Sequence, residues 1–360
     1  MPRPIRAVIK ASALRHNLKL AREAAGEAKI WAVMKANAYG HGLERAARAL
    51  ADADGCAVLD FQEAVRLRLA GVTKPILMLE GFFKPLDVTL LFKYRLTPVI
   101  HNADQVELLK HMDMPDFMDL YLKVNSGMNR LGFGVESLRP AYNALRMHRQ
   151  VRSIVLMTHF ADADGAGGVK AQLDWFNELA RPFQAQGRSL ANSAALIRFP
   201  EARGDWVRPG IMLYGCSPFA DRAAETLGLK PAMTLASEII ATQHLQPGER
   251  VGYGLSYEAV GQMTLGVVAC GYADGYPRHA RNGTPALVCG KRVPLAGRVS
   301  MDMLTVDLTE VPEARVGTPA VLWGEGLPVD DVAYMADTVG YELLCAVAPR
   351  VPFVVSNLDL

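Results

Sequence analysis

The sequence predicts a (β/α)8 barrel followed by a mostly β domain. Over about the first 215 residues, short apolar runs of strand type alternate with stretches whose apolar residues recur at helical spacing. After Leu229 the runs become β-rich and are broken by Gly and Pro. Alternating strands and helices are typical of a parallel barrel. We place the barrel at residues 8–228 and the β-rich domain at residues 229–360, with residues 1–7 as a candidate to join the latter.

Eight apolar runs supply the predicted barrel strands. They begin at Ile30, Gly55, Pro75, Leu96, Asp119, Arg152, Arg188 and Trp206. Amphipathic stretches between them predict helices at 43–53, 61–70, 104–111, 135–149 and 169–186. A doubly wound sheet is the rival architecture, but the GxGxxG motif that would follow its first strand is missing.

The second domain is predicted from a change in the sequence pattern. Runs such as "TLASEIIATQHLQ", "MTLGVVACGY" and "TPAVLWG" have strand character and are separated by Gly and Pro. One late helix is predicted at residues 329–340. The segment "RAVIKA" near the N-terminus also has strand character, which is why residues 1–7 are a candidate for this domain.

Composition excludes several classes of protein. The net charge of +2 and the lack of a basic run argue against nucleic-acid binding. No apolar stretch approaches about 20 residues, so we expect no membrane span. The basic N-terminal segment lacks the apolar core of a secretion signal. Five scattered cysteines without a CxxC motif predict reduced thiols in a cytoplasmic protein and no metal site.

Polar residues gather where the predicted strands end. In a barrel of this type, the carboxyl ends of the strands carry the chemistry. Strand one is followed by Lys35 and then Tyr39, strand five by Lys123, Asn125 and Arg130, strand six by His159, strand seven by Asn192 and Ser193, and strand eight by Arg208, Gly210 and Ile211. Each side chain alone has a plain structural explanation, such as a surface charge or a helix cap. Several cations at one end of the barrel nevertheless call for an anion.

The anion and the lysine together indicate pyridoxal phosphate. Loops after strands seven and eight often bind phosphate in barrels, and Ser193 with the N–H groups of Gly210 and Ile211 suits that role. The cofactor needs a lysine amine for covalent attachment, which Lys35 provides, and a partner for its ring nitrogen. Arg208 is the candidate for that partner. Because an arginine stays protonated, it can only donate to the ring nitrogen, which makes the ring a weaker electron sink.

The motifs resemble those of the alanine racemase family. They are "AVMKANAYGHG", "LKVNSGMNRLGF", "MTHFADAD", "NSAA", "VRPGIMLYG", "VGYG", "GYADGYPR" and "GRVSMDM", in family order across essentially the whole chain. The resemblance implies two-base interconversion of L-alanine and D-alanine with pyridoxal phosphate as cofactor. Lys35 would hold the cofactor and act as the base on D-alanine, and Tyr253 would be the opposing base that serves L-alanine.

The resemblance also assigns binding residues. Arg130 would lie near the cofactor's phenolic oxygen and the substrate carboxylate, and Lys123 matches a lysine that can be carbamylated. The other implied cofactor contacts are His159 through Arg208, together with Tyr39, Ser193, Gly210 and Ile211 for the phosphate. Met301 and Tyr272 would contact the substrate. One departure is Pro349, which stands where some family members have a phosphate-binding tyrosine.

The resemblance further implies a homodimer with active sites shared between subunits, because Tyr253 belongs to the β-rich domain. The enzyme would supply D-alanine for peptidoglycan, or it would feed alanine catabolism. A racemase of broader specificity with the same fold is the main alternative. Arg208 argues against a related decarboxylase, and Tyr253 argues against a non-catalytic cofactor carrier. A lysine-dependent aldolase would bind no cofactor, and its lysine normally comes from a later strand.

Overall fold

The computed structural model describes residues 3–112 and 115–356. These residues fall into two units. One unit comprises Leu18–Ala38 and Gly42–Leu213. The other comprises the described residues up to Asn17, Tyr39–His41, and the described residues from Tyr214 onwards. The predicted domain boundary between residues 228 and 229 stays a prediction. The outermost residues of the second predicted domain, 1–2 and 357–360, lie outside the described part of the chain.

The strand β1 (Arg6–Ile9) belongs to the second unit, and the next eight strands form a closed parallel barrel in the first. The barrel strands are β2 (Lys29–Val33), β3 (Gly55–Val58), β4 (Ile76–Met78), β5 (Leu96–Ile100), β6 (Met118–Lys123), β7 (Val151–Met157), β8 (Gly187–Ser189) and β9 (Trp206–Val207). The barrel closes because β2 pairs with β9 as well as with β3. The predicted (β/α)8 barrel is therefore confirmed.

Helices follow the barrel strands in the order that the sequence pattern predicts. After α1 (Ala11–Ala25), they are α2 (Lys35–Tyr39), α3 (Leu43–Ala49), α4 (Phe61–Leu69), α5 (Pro85–Lys93), α6 (Ala103–Lys110), α7 (Val135–Met147), α8 (Lys170–Ala180) and α9 (Ser193–Arg198). The predicted helices do not include α1, α2, α5 or α9; the segment of α5, for example, contains Val88 and Thr89, which are poor helix formers. Among the described residues, no helix has the length and apolarity that a membrane span requires.

Large aromatic side chains of the barrel strands pack against one another. The ring of Trp31 stacks on Trp206 at 4.4 Å between centroids, and its Nε1–H donates to the Tyr121 hydroxyl at 2.9 Å. A Cβ at Gly55 would lie 2.2 Å from the Trp31 ring, so glycine is required beside this indole. This aromatic packing contributes to a packed barrel core, and leaves its strand ends to carry polar groups.

The second unit is built on a mostly antiparallel eight-stranded sheet. Its strands are β1, β10 (Met233–Leu245), β13 (Met263–Val268), β14 (Pro285–Val288), β15 (Lys291–Pro294), β16 (Leu304–Asp307), β17 (Pro319–Trp323) and β18 (Phe353–Val355). The long strand β10 pairs with β1, β13 and β17. The sheet confirms the predicted mostly β domain.

The late helical region differs from the prediction. One helix was predicted at residues 329–340, whereas the structure has α10 (Val329–Met335) and α11 (Gly340–Ala346). The first of them ends at Met335 with Ala336 as its C-cap, because Asp337 adopts a left-handed conformation with φ of 52°. Two short helices therefore replace the single predicted one.

A small hairpin in the second unit carries Tyr253. The strands β11 (Arg250–Val251) and β12 (Tyr257–Glu258) pair on either side of the turn Tyr253–Leu255. A cluster of buried side chains packs beneath this hairpin, formed by Val251, Ala259, Met263, Leu265 and Ala296. This packing fixes the base of the turn.

Two leucines of α4 offer a matched test of the barrel core. Leu67 is fully buried, whereas Leu69 is 80% exposed. We expect Leu67→Ala to lower the free energy of unfolding by about 2–5 kcal/mol, because it deletes buried methyl groups and leaves a cavity. The control Leu69→Ala should change it by less than about 0.5 kcal/mol. Thermal or urea unfolding measures both, and equal losses in the two variants would contradict the packing described here.

Candidate active site

Lys35 lies where the first barrel strand ends. Backbone hydrogen bonds fix the segment before it, from Val33 N–H to the Pro209 oxygen at 3.1 Å and from Met34 N–H to the Ala57 oxygen at 2.8 Å. The first bond joins the end of β2 to the segment that follows β9, and the second joins Met34, just after β2, to Ala57 in β3. Lys35 itself is half-buried. The structure therefore places Lys35 just after the end of a strand, as the sequence predicts.

The chain then makes a left-handed helical turn. The φ angles of Ala36, Asn37, Ala38 and Tyr39 are 54°, 54°, 57° and 51°, and none of these residues is glycine. Left-handed geometry costs about 1–2 kcal/mol per residue for side chains other than Gly, Asn and Asp. The surrounding structure has to offset about 3–6 kcal/mol for the two alanines and the tyrosine.

Several hydrogen bonds hold this turn. Ala38 N–H donates to the Met34 oxygen at 2.8 Å, and Gly42 N–H donates to the Asn37 oxygen at 3.0 Å. The Asn37 side chain accepts from Leu43 N–H at 3.0 Å, which joins the turn to α3. The Asn37 N–H donates to the Glu63 carboxylate at 2.7 Å.

Arg208 is a buried cation directly after β9. Its guanidinium donates to the Ser189 hydroxyl at 2.7 Å and to the backbone oxygens of Thr158 and Leu190 at 2.6 and 3.1 Å. Within the described residues it has no carboxylate partner. Burial lowers the pKa of Arg208 to about 10, so the group is charged at neutral pH. A buried guanidinium without an acid is suited to an acceptor that the protein does not itself supply.

His159 lies against this guanidinium. Its Nδ1 is 3.4 Å from an Arg208 nitrogen. Burial, followed by the charges of Arg208 and Lys123, lowers the pKa of His159 well below its usual value. The imidazole is therefore neutral near pH 7, and its Nδ1 faces Arg208 as the acceptor.

Lys123 is the last residue of β6, and Arg130 lies in the loop that follows it. Phe133 N–H donates to the Lys123 oxygen at 2.8 Å, which folds the loop back onto the end of β6. Gly132 has φ of +112°, and a Cβ there would lie 2.9 Å from that same oxygen, so this turn needs glycine. Burial, with the nearby charges of Arg208 and Arg130, lowers the pKa of Lys123 to about 8. A narrow cleft is lined by Lys123, Asn125, Ser126, Arg130, Thr158 and His159.

The predicted phosphate site lies after β8 and β9. The Ser193 hydroxyl oxygen accepts from Gly210 N–H at 2.8 Å, which leaves its own hydrogen available to donate. Ile211 is the first residue of a short 3-10 helix, so its N–H has no acceptor within that helix. Ser193 does not cap α9, because Asn192 takes that role by accepting from Ala195 N–H at 2.9 Å. Ser193 is therefore available for another role.

The other predicted site residues belong to the second unit. Tyr253 is 70% exposed and stands between Gly252 and Gly254, which have φ of 74° and 73°. Tyr272 and Met301 are neighbours, because Tyr272 N–H donates to the Ser300 oxygen at 3.0 Å and Ala273 N–H donates to the Met301 oxygen at 3.0 Å.

The Tyr272 segment is anchored by a buried carboxylate. Asp274 is fully buried and accepts from Gly271 N–H at 3.0 Å. It also forms salt bridges with Arg3 at 3.0 Å and with Arg350 at 2.7 Å. Pro349, the residue that departs from the family pattern, is exposed in the turn just before Arg350.

Tyr39 is buried in the second unit. Its ring lies 4.7 Å from Tyr214 and 6.1 Å from Tyr341 between centroids. Burial raises the pKa of Tyr39 well above its usual value, so its hydroxyl keeps its proton and can donate.

Sequence reasoning missed two residues that support the site. Glu63 holds the left-handed turn from α4, and Asp274 anchors the Tyr272 segment. Glu63 resembles an ordinary acidic residue in the first turn of a helix, so no local signal marked it. Asp274 stands inside the "GYADG" motif, which was the available signal.

Two family models cover most of the chain. The model described as "Alanine racemase, N-terminal domain" matches residues 9–218, and "Alanine racemase, C-terminal domain" matches residues 232–355. The chain belongs to the alanine racemase family. It is therefore an amino-acid racemase, which is an isomerase, and the resemblance inferred from its motifs is confirmed.

Individual alanine racemases are similar over the full length. The enzyme from Ralstonia nicotianae is 54% identical over 360 residues, which cover 99% of this chain and 96% of that protein. The enzyme from Paraburkholderia phytofirmans is 54% identical over 353 residues, with 98% and 99% covered. The crystal structure of the biosynthetic alanine racemase from Pseudomonas aeruginosa has a TM-score of 0.96 and 47% identity, and covers 99% of this chain and 100% of that chain.

The neutral His159 predicts acid sensitivity. The pKa of His159 in the folded protein lies below the unfolded value of about 6.5. As the pH falls below this value, the unfolded chain therefore binds a proton that the folded protein does not bind. We expect stability to fall as pH drops below about 6.5, by up to about 1.4 kcal/mol per pH unit from this group. His159→Gln, which keeps an acceptor toward Arg208, should flatten this fall.

Urea unfolding between pH 7 and pH 5 measures the slope. The control is His111→Gln, since His111 is exposed on the surface and its ion pair with Glu107 contributes little. The same acid slope in wild type and His159→Gln would contradict a neutral, buried imidazole.

Proposed function

We propose that this racemase interconverts L-alanine and D-alanine by a two-base mechanism in which Lys35 and Tyr253 handle the α-proton on opposite faces of the substrate. Pyridoxal phosphate is the proposed cofactor, covalently held by Lys35. The observation that carries the proposal is the group of cations at the barrel's strand ends, above all the buried Arg208 without a carboxylate partner among the described residues.

The donor groups fit pyridoxal phosphate. Lys35 supplies the amine, and Arg208 supplies a donor to the ring nitrogen. The hydroxyls of Ser193 and Tyr39 and the N–H of Ile211 would hold the phosphate, whereas the predicted Gly210 N–H already donates to the Ser193 hydroxyl oxygen at 2.8 Å. When bound, the cofactor draws electrons from the substrate's α-carbon, which makes its hydrogen acidic. Pro349 offers no donor, so the phosphate depends on the remaining contacts.

Arg208 sets the character of the site. Its guanidinium remains charged at neutral pH and can only donate a hydrogen bond. Neutral His159 supports it as an acceptor. The ring nitrogen is thereby kept unprotonated, which limits electron withdrawal to what brief proton removal needs and disfavours side reactions.

Lys35 and Tyr253 divide the proton transfers. The charge of Lys35 is among those that lower the pKa of Lys123 and of His159, so the three groups lie within electrostatic range of one another. Tyr253 carries its hydroxyl on an exposed turn, where it can approach a substrate from outside its own unit. Arg130 would bind the substrate carboxylate, together with the N–H of Met301, and Tyr272 would line the entrance.

Shared sites follow from the exposure of Tyr253. This side chain, Leu255 and Val260 are 70%, 56% and 98% exposed, which is a large apolar exposure for one short region. A homodimer that pairs the Tyr253 turn with the barrel of the other subunit would cover it and complete each site. The reaction would serve D-alanine supply for peptidoglycan or alanine breakdown in the cytoplasm, where buried thiols such as Cys56 and Cys270 stay reduced.

Mixing two inactive variants tests this function and the shared sites. Lys35→Ala and Tyr253→Phe should each lower kcat by at least about a hundredfold, because each removes one proton-transfer group. Equal amounts of the two, allowed to exchange subunits, should recover up to about a quarter of wild-type activity, since half of the dimers regain one intact site. No recovery after proven exchange would contradict shared sites, and an active Lys35→Ala variant would contradict the mechanism.

The low pKa of Lys123 predicts carbamylation. The neutral amine can add to carbon dioxide and release a proton, giving a carboxylate that would orient Arg130. With a pKa of about 8, the neutral fraction rises from about a tenth at pH 7 to about nine tenths at pH 9. Under a constant pressure of ¹³C-labelled carbon dioxide, we expect a carbamate NMR signal that grows over this range. The same signal in Lys123→Gln would show that another amine carries it.

A further inference from the structure

We propose that Glu63 is a positioning residue for Lys35: its buried carboxylate holds the left-handed turn that presents the lysine at the end of β2. This inference rests on the proposed role of Lys35. It concerns a residue that contacts neither substrate nor cofactor in the proposed function, and that acts through the backbone of the turn.

The turn is the unusual feature that needs an explanation. Four residues in sequence adopt φ between 51° and 57°, and they begin directly after Lys35. A chain that relaxed this turn toward ordinary right-handed or extended geometry would redirect the Lys35 side chain, because the turn sets the direction in which the backbone leaves β2. The geometry of the amine therefore depends on whatever holds the turn.

Glu63 is an acidic side chain that bonds the backbone of the turn. Its Oε1 accepts from the Asn37 N–H at 2.7 Å, in the middle of the left-handed segment. Glu63 is only 9% exposed, and it comes from the first turn of α4, which is rigidly capped by Asp60. The capped helix therefore holds this acceptor in a fixed position.

The Asn37 N–H has no second acceptor in the described structure. The N–H of Asn37 points toward Glu63 of α4. Without Glu63 this partly buried donor would lose its partner, which disfavours this conformation over ones that expose the N–H fully to water. The Asn37 side chain is itself engaged with Leu43 N–H and, at 3.4 Å, with Arg66.

A set of variants at position 63 separates holding the turn from merely filling space. Glu63→Leu keeps the volume and removes the acceptor, whereas Glu63→Gln keeps an acceptor of the same reach. Glu63→Asp keeps the carboxyl group but shortens the side chain by one methylene. It is the second variant to measure if Glu63→Leu does not fold. Glu44→Gln is the matched control, because Glu44 pairs with Arg66 on the surface and makes no hydrogen bond to the turn backbone.

The first measurement needs no cofactor. Hydrogen–deuterium exchange of apo protein reports on the amides of residues 35–39. We expect at least tenfold faster exchange of the Asn37 amide in Glu63→Leu and Glu63→Asp, and rates within threefold of wild type in Glu63→Gln and Glu44→Gln. Unchanged exchange in both Glu63→Leu and Glu63→Asp would overturn the claim that Glu63 holds the turn.

The second measurement follows the attachment of pyridoxal phosphate to Lys35. Borohydride trapping at timed intervals, with peptide mass mapping, gives the rate at each lysine. We expect attachment to Lys35 to slow at least tenfold in Glu63→Leu and Glu63→Asp, with rescue to within threefold in Glu63→Gln and no change in Glu44→Gln. In steady state, kcat should fall by a similar factor while KM for alanine stays within threefold.

The outcomes separate this inference from the proposed function. Label on Lys35 of wild type supports the cofactor assignment on its own. Faster amide exchange with an unchanged attachment rate would show that the turn does not position Lys35, and would overturn the inference while leaving the function in place. Wild-type protein that takes no label on Lys35 would overturn both.

Discussion

The hydrogen bonds of the Arg208 guanidinium are the interaction on which the site depends. They join a residue after β9 to oxygens contributed by β8 and by the segments that follow β7 and β8, so one side chain ties together three neighbouring strand ends. The same bonds use backbone oxygens and a hydroxyl, and leave the charge uncompensated. Burial, followed by that charge, lowers the pKa of Lys123 and of His159. A site with this field suits a bound anion and a basic amine.

The two units contribute different kinds of residue to the proposed reaction. The barrel unit supplies buried cations whose positions are fixed by strand pairing. The second unit supplies exposed residues on short turns, with Tyr253 held by a small packed cluster and Tyr272 held by the buried Asp274. The proposed homodimer with shared sites would bring the exposed Tyr253 of one copy to the barrel of the other, where Lys35 supplies the second proton-transfer group.

Much of the fold and many site positions could be predicted from the sequence. The barrel strands are buried on both faces, so their apolar runs stand out, and lysine or arginine at the end of such a run is conspicuous. The left-handed turn could not be predicted, because Ala36 to Tyr39 contain no glycine and the conformation is imposed by contacts with other segments. Glu63 lies 26 residues from Asn37, the residue it holds, and no local pattern joins the two. The division of the late helix at Asp337 likewise depends on a backbone conformation that its residue type does not demand.

Isotope content of the first product tests the two-base claim most directly. L-alanine with ordinary hydrogen at its α-carbon is incubated with the enzyme in deuterium oxide, and D-alanine formed in the first few per cent of reaction is analysed by mass spectrometry. If one group removes the proton and a second, solvent-exchanged group returns one from the other face, nearly all of this D-alanine carries deuterium. D-alanine that retains the original hydrogen would mean that a single base carries it across, and would contradict the account.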